Sequence, residues 1–321
     1  MECILESNRA YSNHRVTLLA GGVGGARMAR ALRTALDPGR LTVIVNVGDD
    51  TERYGVHVAA DPDTVLYTLA GVAGPHGWGR AGDTTRLMDE LARFGFDAAF
   101  TLGDLDYAFC LARTLMLDAG VPLSKATTPL AASLGVDDVA LLPATDDTLA
   151  TWVRTAEGTW LEFQEYFVDR GHADEVSAVA YLGAAGARPA PGVVEAISDA
   201  DLLVIAPSNP PLSIWPILAI DAIDEAVRGH RRRIAVSPLF GGRPLKGPAD
   251  RVMRGIGLAG GTEGILEAYA GRIDALVVDL ADAADVGLGS PRCVEVRVSD
   301  TRLDAGDGGS ALIDRILAWS P

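Results

Sequence analysis

The chain has 321 residues, of which 48% are hydrophobic and 22% charged, and its formal net charge is −15 at pH 7. That length and composition suit a globular protein with a substantial core and exclude disorder as the default. The acidic balance argues against nucleic acid as a partner, because such affinity comes largely from Lys and Arg on phosphates, and no apolar run approaches the roughly 18 residues of a membrane helix.

Residues 1–14 read as a short extension, without the apolar stretch of a signal peptide. Residues 15–321 read as one Rossmann-like α/β domain, with a mostly parallel sheet and helices on both faces. Val16–Ala20 has the pattern of a buried strand. The turn Gly21-Gly22-Val23-Gly24-Gly25 follows, then a helix over 26–36 that ends at Asp37-Pro38-Gly39. The next strand spans 41–47, and later strands are expected at 98–102, 178–182, 201–206, 233–236 and 275–278. Helical patterns fall between most of them, at 84–94, 212–227 and 264–269. The stretch 146–181 differs: it is rich in Thr, Trp, Phe, Tyr and Val, with strands expected at 151–155, 159–168 and 177–181. Glu157-Gly158 makes a hairpin turn there, so a small, partly antiparallel insertion is expected. Cys3, Cys110 and Cys293 are widely spaced and form no metal-ligand pattern, which suits a reducing cytoplasm.

In open α/β sheets, ligands bind outside the carboxyl ends of the strands. Glycines at 21, 22, 24 and 25 let the backbone approach a diphosphate, the following helix aims N–H groups at it, and Arg27 adds a charge. The same glycines also suit a tight strand-to-helix turn with no ligand. The third glycine of a dinucleotide fingerprint is missing, no Lys-Ser or Lys-Thr follows, and Asn46 stands where an NAD enzyme usually has a carboxylate. Asp49, Asp50, Asp61 and Asp63 follow the second strand. Carboxylates beside a diphosphate call for a cation, and magnesium takes one or two of them plus phosphate oxygens. Asp61 and Asp63 equally suit caps of a helix beginning near Thr64. Ser208 and Asn209 end another strand and offer nucleotide contacts, or an N-cap. The loop 241–249 is basic and glycine-rich and could close over an anion. No histidine sits in a metal or nucleophile pattern, and no Gly-x-Ser-x-Gly elbow is present.

The segments Leu-Ala-Gly-Gly-Val-Gly-Gly-Ala-Arg (19–27), Val-Asn-Val-Gly-Asp-Asp (45–50) and Asp-Pro-Asp-Thr-Val-Leu-Tyr (61–67) resemble the 2-phospho-L-lactate transferase family of coenzyme F420 biosynthesis. Trp78-Gly79 with Asp83-Thr84, Leu102-Gly103-Asp104, Phe163-Gln164-Glu165, 206–210 and 244–247 extend the match in order along nearly the whole chain. The resemblance implies a magnesium-dependent, usually dimeric enzyme. Such enzymes move a phospho-acid group (2-phospholactate, phosphoenolpyruvate or 3-phosphoglycerate type) from a guanosine diphospho-adduct. The acceptor is the ribitol hydroxyl of 7,8-didemethyl-8-hydroxy-5-deazariboflavin, and GMP leaves. It implies Asp49 and Asp61 as catalytic groups and Asp49, Asp50, Asp61 and Asp63 as metal ligands. Gly22, Gly24, Gly25, Arg27, Ser208 and Asn209 would face the donor nucleotide, and Trp78, Asp83, Thr84 and Asp104 the acceptor. The family typically continues Gly-Asp-Arg-Asp-x-Ala-Thr-His, where this chain has Leu105, Phe109 and Cys110 in place of the Arg and the two polar residues. Leu cannot reproduce an Arg contact to an anion, so that segment either alters the choice of acid or acceptor or faces the core. The competing readings are a homologue with another acceptor, a non-catalytic nucleotide sensor, and an NAD-dependent oxidoreductase.

Overall fold

In the computed structural model, which describes residues 11–287, 294–303 and 309–321, strand β1 (Val16–Ala20) is buried along its whole length. Leu18 packs into one hydrophobic cluster and its neighbour Leu19 into another, so both faces of the strand are covered. Helix α1 (Gly22–Ala35) follows directly, then β2 (Leu41–Val45), the hairpin β3 (Thr51–Arg53) and β4 (Val56–Val58), and α2 (Ala60–Leu69). Helices α3 (Arg86–Arg93), α4 (Asp104–Asp118) and α5 (Leu123–Ser133) lead to β5 (Val139–Pro143). An antiparallel unit of β6 (Ala150–Thr155), β7 (Trp160–Glu162) and β8 (Val176–Leu182) follows, ordered β7-β6-β8. The chain continues through α6 (Val193–Ser198), β9 (Leu202–Ile205), α7 (Trp215–Leu218), α8 (Asp221–Gly229) and β10 (Arg233–Val236). A small hairpin, β11 (Leu239–Phe240) with β12 (Arg243–Pro244), then α9 (Ala249–Gly255), α10 (Gly261–Ala268), β13 (Ala275–Asp279), β14 (Glu295–Ser299) and α11 (Ser310–Leu317) complete it.

The main sheet has seven strands in the order β14-β13-β10-β9-β1-β2-β5, and every described pairing is parallel. The order reverses between β1 and β9, which opens the crevice where doubly wound sheets bind ligands. On one face α1, α2 and α11 supply Met28, Leu66 and Leu312. On the other, α7, α8 and α10 supply Ile217, Ile223 and Ile265. The expected Rossmann-like sheet with an antiparallel insertion is the observed architecture.

Several expected elements differ. Residues 98–102 form no strand: Phe100 lies under Arg53, and Leu102 is buried beside Val56 and Val58, so side chains rather than sheet pairing anchor the segment. The edge beyond β2 belongs instead to β5, and β14 closes the other edge; neither strand was expected. The stretch 178–182, expected both among the later strands and, as 177–181, in the insertion, pairs antiparallel with β6 as the insertion reading has it. The strand expected at 159–168 stops at Glu162, where the chain turns helically and stacks Phe163 on Phe167. The helix expected over 212–227 breaks into a π-helical turn (Pro210–Ile214), α7 and α8. Pro216 is tolerated because α7 restarts just before it. Of the expected extension, residues 1–10 lie outside the described residues, as do Cys3 and Cys293, while Tyr11 packs against the core. Among the described residues no helix is long and apolar enough to cross a membrane.

Candidate active site

The glycine turn lies at the strand reversal, and α1 begins at Gly22, four residues before the expected start. Gly22 has φ +63°, a left-handed conformation that favours glycine, and its N–H donates to Asp61 Oδ1 at 2.6 Å. Gly24 serves a different need: a Cβ there would stand 2.1 Å from the carbonyl oxygen of Pro207, so only glycine lets α1 approach the loop after β9. A Cβ on Gly25 would meet Ala20. Gly24→Ala is expected to cost about 3 kcal/mol, the upper end for overpacking. Gly22→Ala, whose Cβ meets only the Ser213 hydroxyl at ordinary contact distance and whose cost is backbone strain, is expected to cost about 1–2 kcal/mol. Urea unfolding of the two variants checks this order, and equal midpoints would remove the packing role from Gly24.

Asn46, at the end of β2, donates to Asp61 Oδ2 at 2.9 Å and accepts from the Gly48 N–H at 2.8 Å. It thereby ties the second strand to the turn at Gly22 and leaves no carboxylate in the position of an NAD ribose contact. Asp49 is 3% exposed, and its Oδ1 is buried with no hydrogen-bond partner. Its main-chain carbonyl accepts from Gln164 Nε2 at 2.7 Å, which fixes the insertion against the site. Asp50 Oδ2 lies 3.1 Å from His57 Nε2, while Asp50 Oδ1 is buried and unpartnered. Burial, reinforced by the charge of Asp61, pushes the Asp49 carboxyl well up, and burial pushes Asp61 up to about 6.

Two buried carboxylates with unsatisfied oxygens beside a third are a costly arrangement without a compensating cation. Their all-oxygen donor set suits a hard divalent ion such as magnesium. Because burial raises the native-state values, these groups hold protons in the folded chain that the unfolded chain has lost, and their contribution to stability falls as pH rises above the ordinary carboxylate range, passing through about 6 for Asp61. Magnesium is therefore expected to raise the melting temperature at pH 7.5 and to lose that effect near pH 5. Thermal melts with magnesium or with EDTA at both values test this, and a shift independent of pH would contradict it.

Asp63 has another partner. Arg113 of α4, 2% exposed, forms a buried ion pair with it and donates to the His57 carbonyl at 3.0 Å. Asp63, Asp106 and Cys110 bring ligand atoms within 4.8 Å of one another, a spacing a cation could bridge. The Arg113 guanidinium already supplies positive charge at that point. Phe109 is buried against Tyr67, with ring centroids 5.4 Å apart, and Cys110 is buried in the cluster beside β4. Two of the three departures from the family pattern thus face the core, and Leu105 alone is exposed, at 49%.

Asp83, Thr84 and Asp104 meet in a reciprocal cap. Asp83 accepts from the N–H groups of Leu105 and Asp106 at 2.9 and 3.0 Å, capping α4. Asp104 accepts from Thr84 Oγ1 at 2.6 Å and from the Leu87 N–H at 3.0 Å, capping α3. Trp78 is 54% exposed, stacked with His76, and lies under Lys246 at 6.0 Å. Gly77 beside it abuts Val23 of the glycine turn, so this loop and the basic loop 241–249 meet above α1. Ser208 Oγ donates to the Gly21 carbonyl at 2.7 Å, and Asn209 Oδ1 accepts from the Leu212 N–H at 3.3 Å. Arg27 is half-buried on α1. His57 and Arg113 escaped the sequence reading because each acts through a partner brought close only by folding.

A cavity of about 560 Å³ opens beside the aspartates, walled by the residues after β2, the α4–α5 and β5–β6 links, and Glu162–Gln164.

A family model described as 2-phospho-L-lactate transferase CofD matches residues 16–292. The phosphoenolpyruvate transferase of Streptomyces griseus is 40% identical over 301 residues, covering 91% of this chain and 94% of that protein. The 2-phospho-L-lactate transferase of Methanopyrus kandleri is 40% identical over 294 residues, covering 90% and 92%. A crystal structure of a UPF0052-family protein from Bacillus halodurans has a TM-score of 0.64 at 18% identity, over 95% of this chain and 99% of that one, which is a likeness of fold.

Proposed function

The chain belongs to the 2-phospho-L-lactate transferase CofD family and is a transferase of a phospho-acid group, and from that premise we propose its donor, acceptor and metal. The donor is a guanosine diphospho-adduct of a three-carbon acid, and the acceptor is the ribitol hydroxyl of the deazaflavin 7,8-didemethyl-8-hydroxy-5-deazariboflavin. The enzyme works with magnesium, as a cytoplasmic homodimer. The enolpyruvyl adduct is the first donor to test, because relatives such as that of Streptomyces griseus are phosphoenolpyruvate transferases. The observation that carries the reading is the buried carboxylate group with unpartnered oxygens on Asp49 and Asp50, set beside the strand reversal.

The ribitol oxygen attacks the phosphorus that bears the acid. A new P–O bond forms, the P–O–P bridge breaks, and GMP leaves with the bridging oxygen. Phosphoryl transfer of this kind depends on positioning and charge neutralisation more than on covalent catalysis. The first turn of α1 faces the diphosphate, with Arg27 adding charge and Ser208 and Asn209 at the nucleotide end. Asp49, Asp50 and Asp61 would hold magnesium, which when bound neutralises the diphosphate. Asp61 also fixes the turn through the Gly22 N–H and Asn46. The hydroxyl proton passes to this carboxylate group, and Asp49 Oδ1 is the first choice because it has no other partner. Asp63 supports the group from behind through Arg113.

Incubation with magnesium, the deazaflavin and each of the enolpyruvyl, lactyl and glyceryl guanylates, followed by mass spectrometry, is expected to show GMP and the phospho-acid-modified deazaflavin. GDP binding without product from any donor would indicate a nucleotide sensor instead.

A further inference from the structure

Helix α4 is apolar on two sides. Its inner side buries Phe109 and Cys110, together with Arg113. Its outer side carries Leu105, Leu111 and Leu115, exposed at 49%, 39% and 62%, with Ala108 and Ala119 exposed beside them and Ala112 half-buried. Between Tyr107 and Leu117 the only charged residue is Arg113, and it is turned inward. A helix that is apolar all round is ordinarily covered all round, and a contiguous exposed apolar patch marks an interaction surface. The outer stripe also has an order. Leu105, Ala108, Ala112 and Leu115 stand three, four and three residues apart, the seam spacing of packed helix pairs, and this series of large and small residues reads the same in both directions.

We infer that the outer face of α4 is a contact between two copies of this chain, their α4 helices packed antiparallel across a two-fold axis. The inference rests on the homodimer reading above and deepens it by naming the surface; it does not depend on the donor or the acceptor. A two-fold contact is self-complementary, so that if one residue meets another the reverse contact is made too. Antiparallel pairing of the palindromic seam sets Leu105 against the partner's Leu115 and Ala108 against the partner's Ala112, each twice. The central alanines let the helix axes approach to about 8 Å, the short end of the range for packed helices. The charges at the helix ends agree with this direction. Asp118 is exposed at the end of α4, and Arg86 is exposed at the start of α3, where its charge acts on Asp104 at the beginning of α4. Antiparallel pairing brings Asp118 of each copy towards the partner's Arg86, whereas parallel pairing sets Asp118 beside Asp118. Asp104 is already engaged there by Thr84 and the Leu87 N–H. Leu105 is also the one exposed departure from the family pattern, and an arginine in its place would carry a charge into the seam opposite a leucine. The inner face of the same helix holds Asp63 through Arg113, so the contact backs the element that stands behind the aspartates.

Sedimentation equilibrium of the full chain tests the contact. The wild type is expected to dimerise, and Leu115→Glu to weaken the dimer by about a hundredfold or more, because the charge enters the seam twice. Its circular dichroism should match the wild type, since the side chain replaced is exposed. Asp118→Arg and Arg86→Glu are each expected to weaken association, and the two together to restore it. Cysteine pairing reads the direction. With Cys3 and Cys293 replaced by serine, a mixture of Leu105→Cys and Leu115→Cys proteins under mild oxidation is expected to give the mixed disulfide in preference to either self-linked dimer. A dimer that persists in Leu115→Glu overturns the α4 contact and leaves the homodimer and transfer readings intact. If Leu115→Glu fails to fold, the cysteine mixture decides, and a preference for self-linked dimers overturns the antiparallel seam. A wild type that stays monomeric at every concentration overturns the contact and the homodimer together, and leaves the transfer chemistry untouched.

Discussion

Replacing Asp49 by Asn is expected to lower turnover by about 10²–10⁴-fold, the range for removing a group that handles a proton in the transition state, and to leave the protein folded. The loss should appear in kcat at saturating magnesium and donor, since the variant keeps its volume and its main-chain bond from Gln164. Stability should move the other way. Burial and the neighbouring Asp61 push the Asp49 carboxyl up, so ionised Asp49 is a burden on the native state. That burden is absent at low pH and grows as pH rises above the ordinary carboxylate range. Asp49→Asn should therefore match the wild type near pH 4 and melt at a higher temperature near pH 8. A variant with near-normal kcat, or one that melts lower at pH 8, would remove Asp49 from the centre of the site.

Arg113→Met is expected to give the largest loss of stability, about 3–5 kcal/mol, because it leaves the buried Asp63 without its counter-charge. Arg113 joins α4 to the first turn of α2 through Asp63 and to the β3–β4 hairpin through the His57 carbonyl. Burial pushes Asp63 up to about 7 even though Arg113 holds it back, and without the guanidinium it rises further. A raised carboxyl favours the fold at low pH and loses that contribution as pH climbs through its native value, so the penalty should be larger at pH 8 than at pH 5. Adding Asp63→Asn to Arg113→Met should recover most of the loss, since a buried pair removed whole costs far less than one partner removed. Urea midpoints of the two single variants and the double variant form the cycle. No recovery in the double variant would mean that Arg113 acts through packing and the His57 carbonyl alone.

The main strands and the glycine turn were legible because their signals are local. An apolar run such as Val16–Ala20 followed by glycines can be recognised within one window of sequence, and the acidic residues after β2 stand close to it. The irregular path of 98–102 was not legible, because Phe100 and Leu102 carry strand-like residues but are held by Arg53, Val56 and Val58 from a hairpin some forty residues earlier. Strand β5 was missed for a related reason: a five-residue segment ending in Pro143 is a strand only because the edge of β2 is there to pair with it.

The same division runs through the site. Sequence alone determined the fold class, the family resemblance, the glycine turn, and the aspartates as the place to look for chemistry, since residue type and order carry those. Tertiary structure decided what each of them does with its partners. Asp61 holds the turn, Asp63 is joined to an arginine fifty residues away, and Asp83 and Asp104 cap each other's helices. Gly24 is required by the Pro207 carbonyl. The physical reason is that hydrogen bonds, ion pairs and burial act over a few ångströms of space. A carboxylate's role is fixed by whichever donor or charge the fold brings within that reach, and the chain order does not record it.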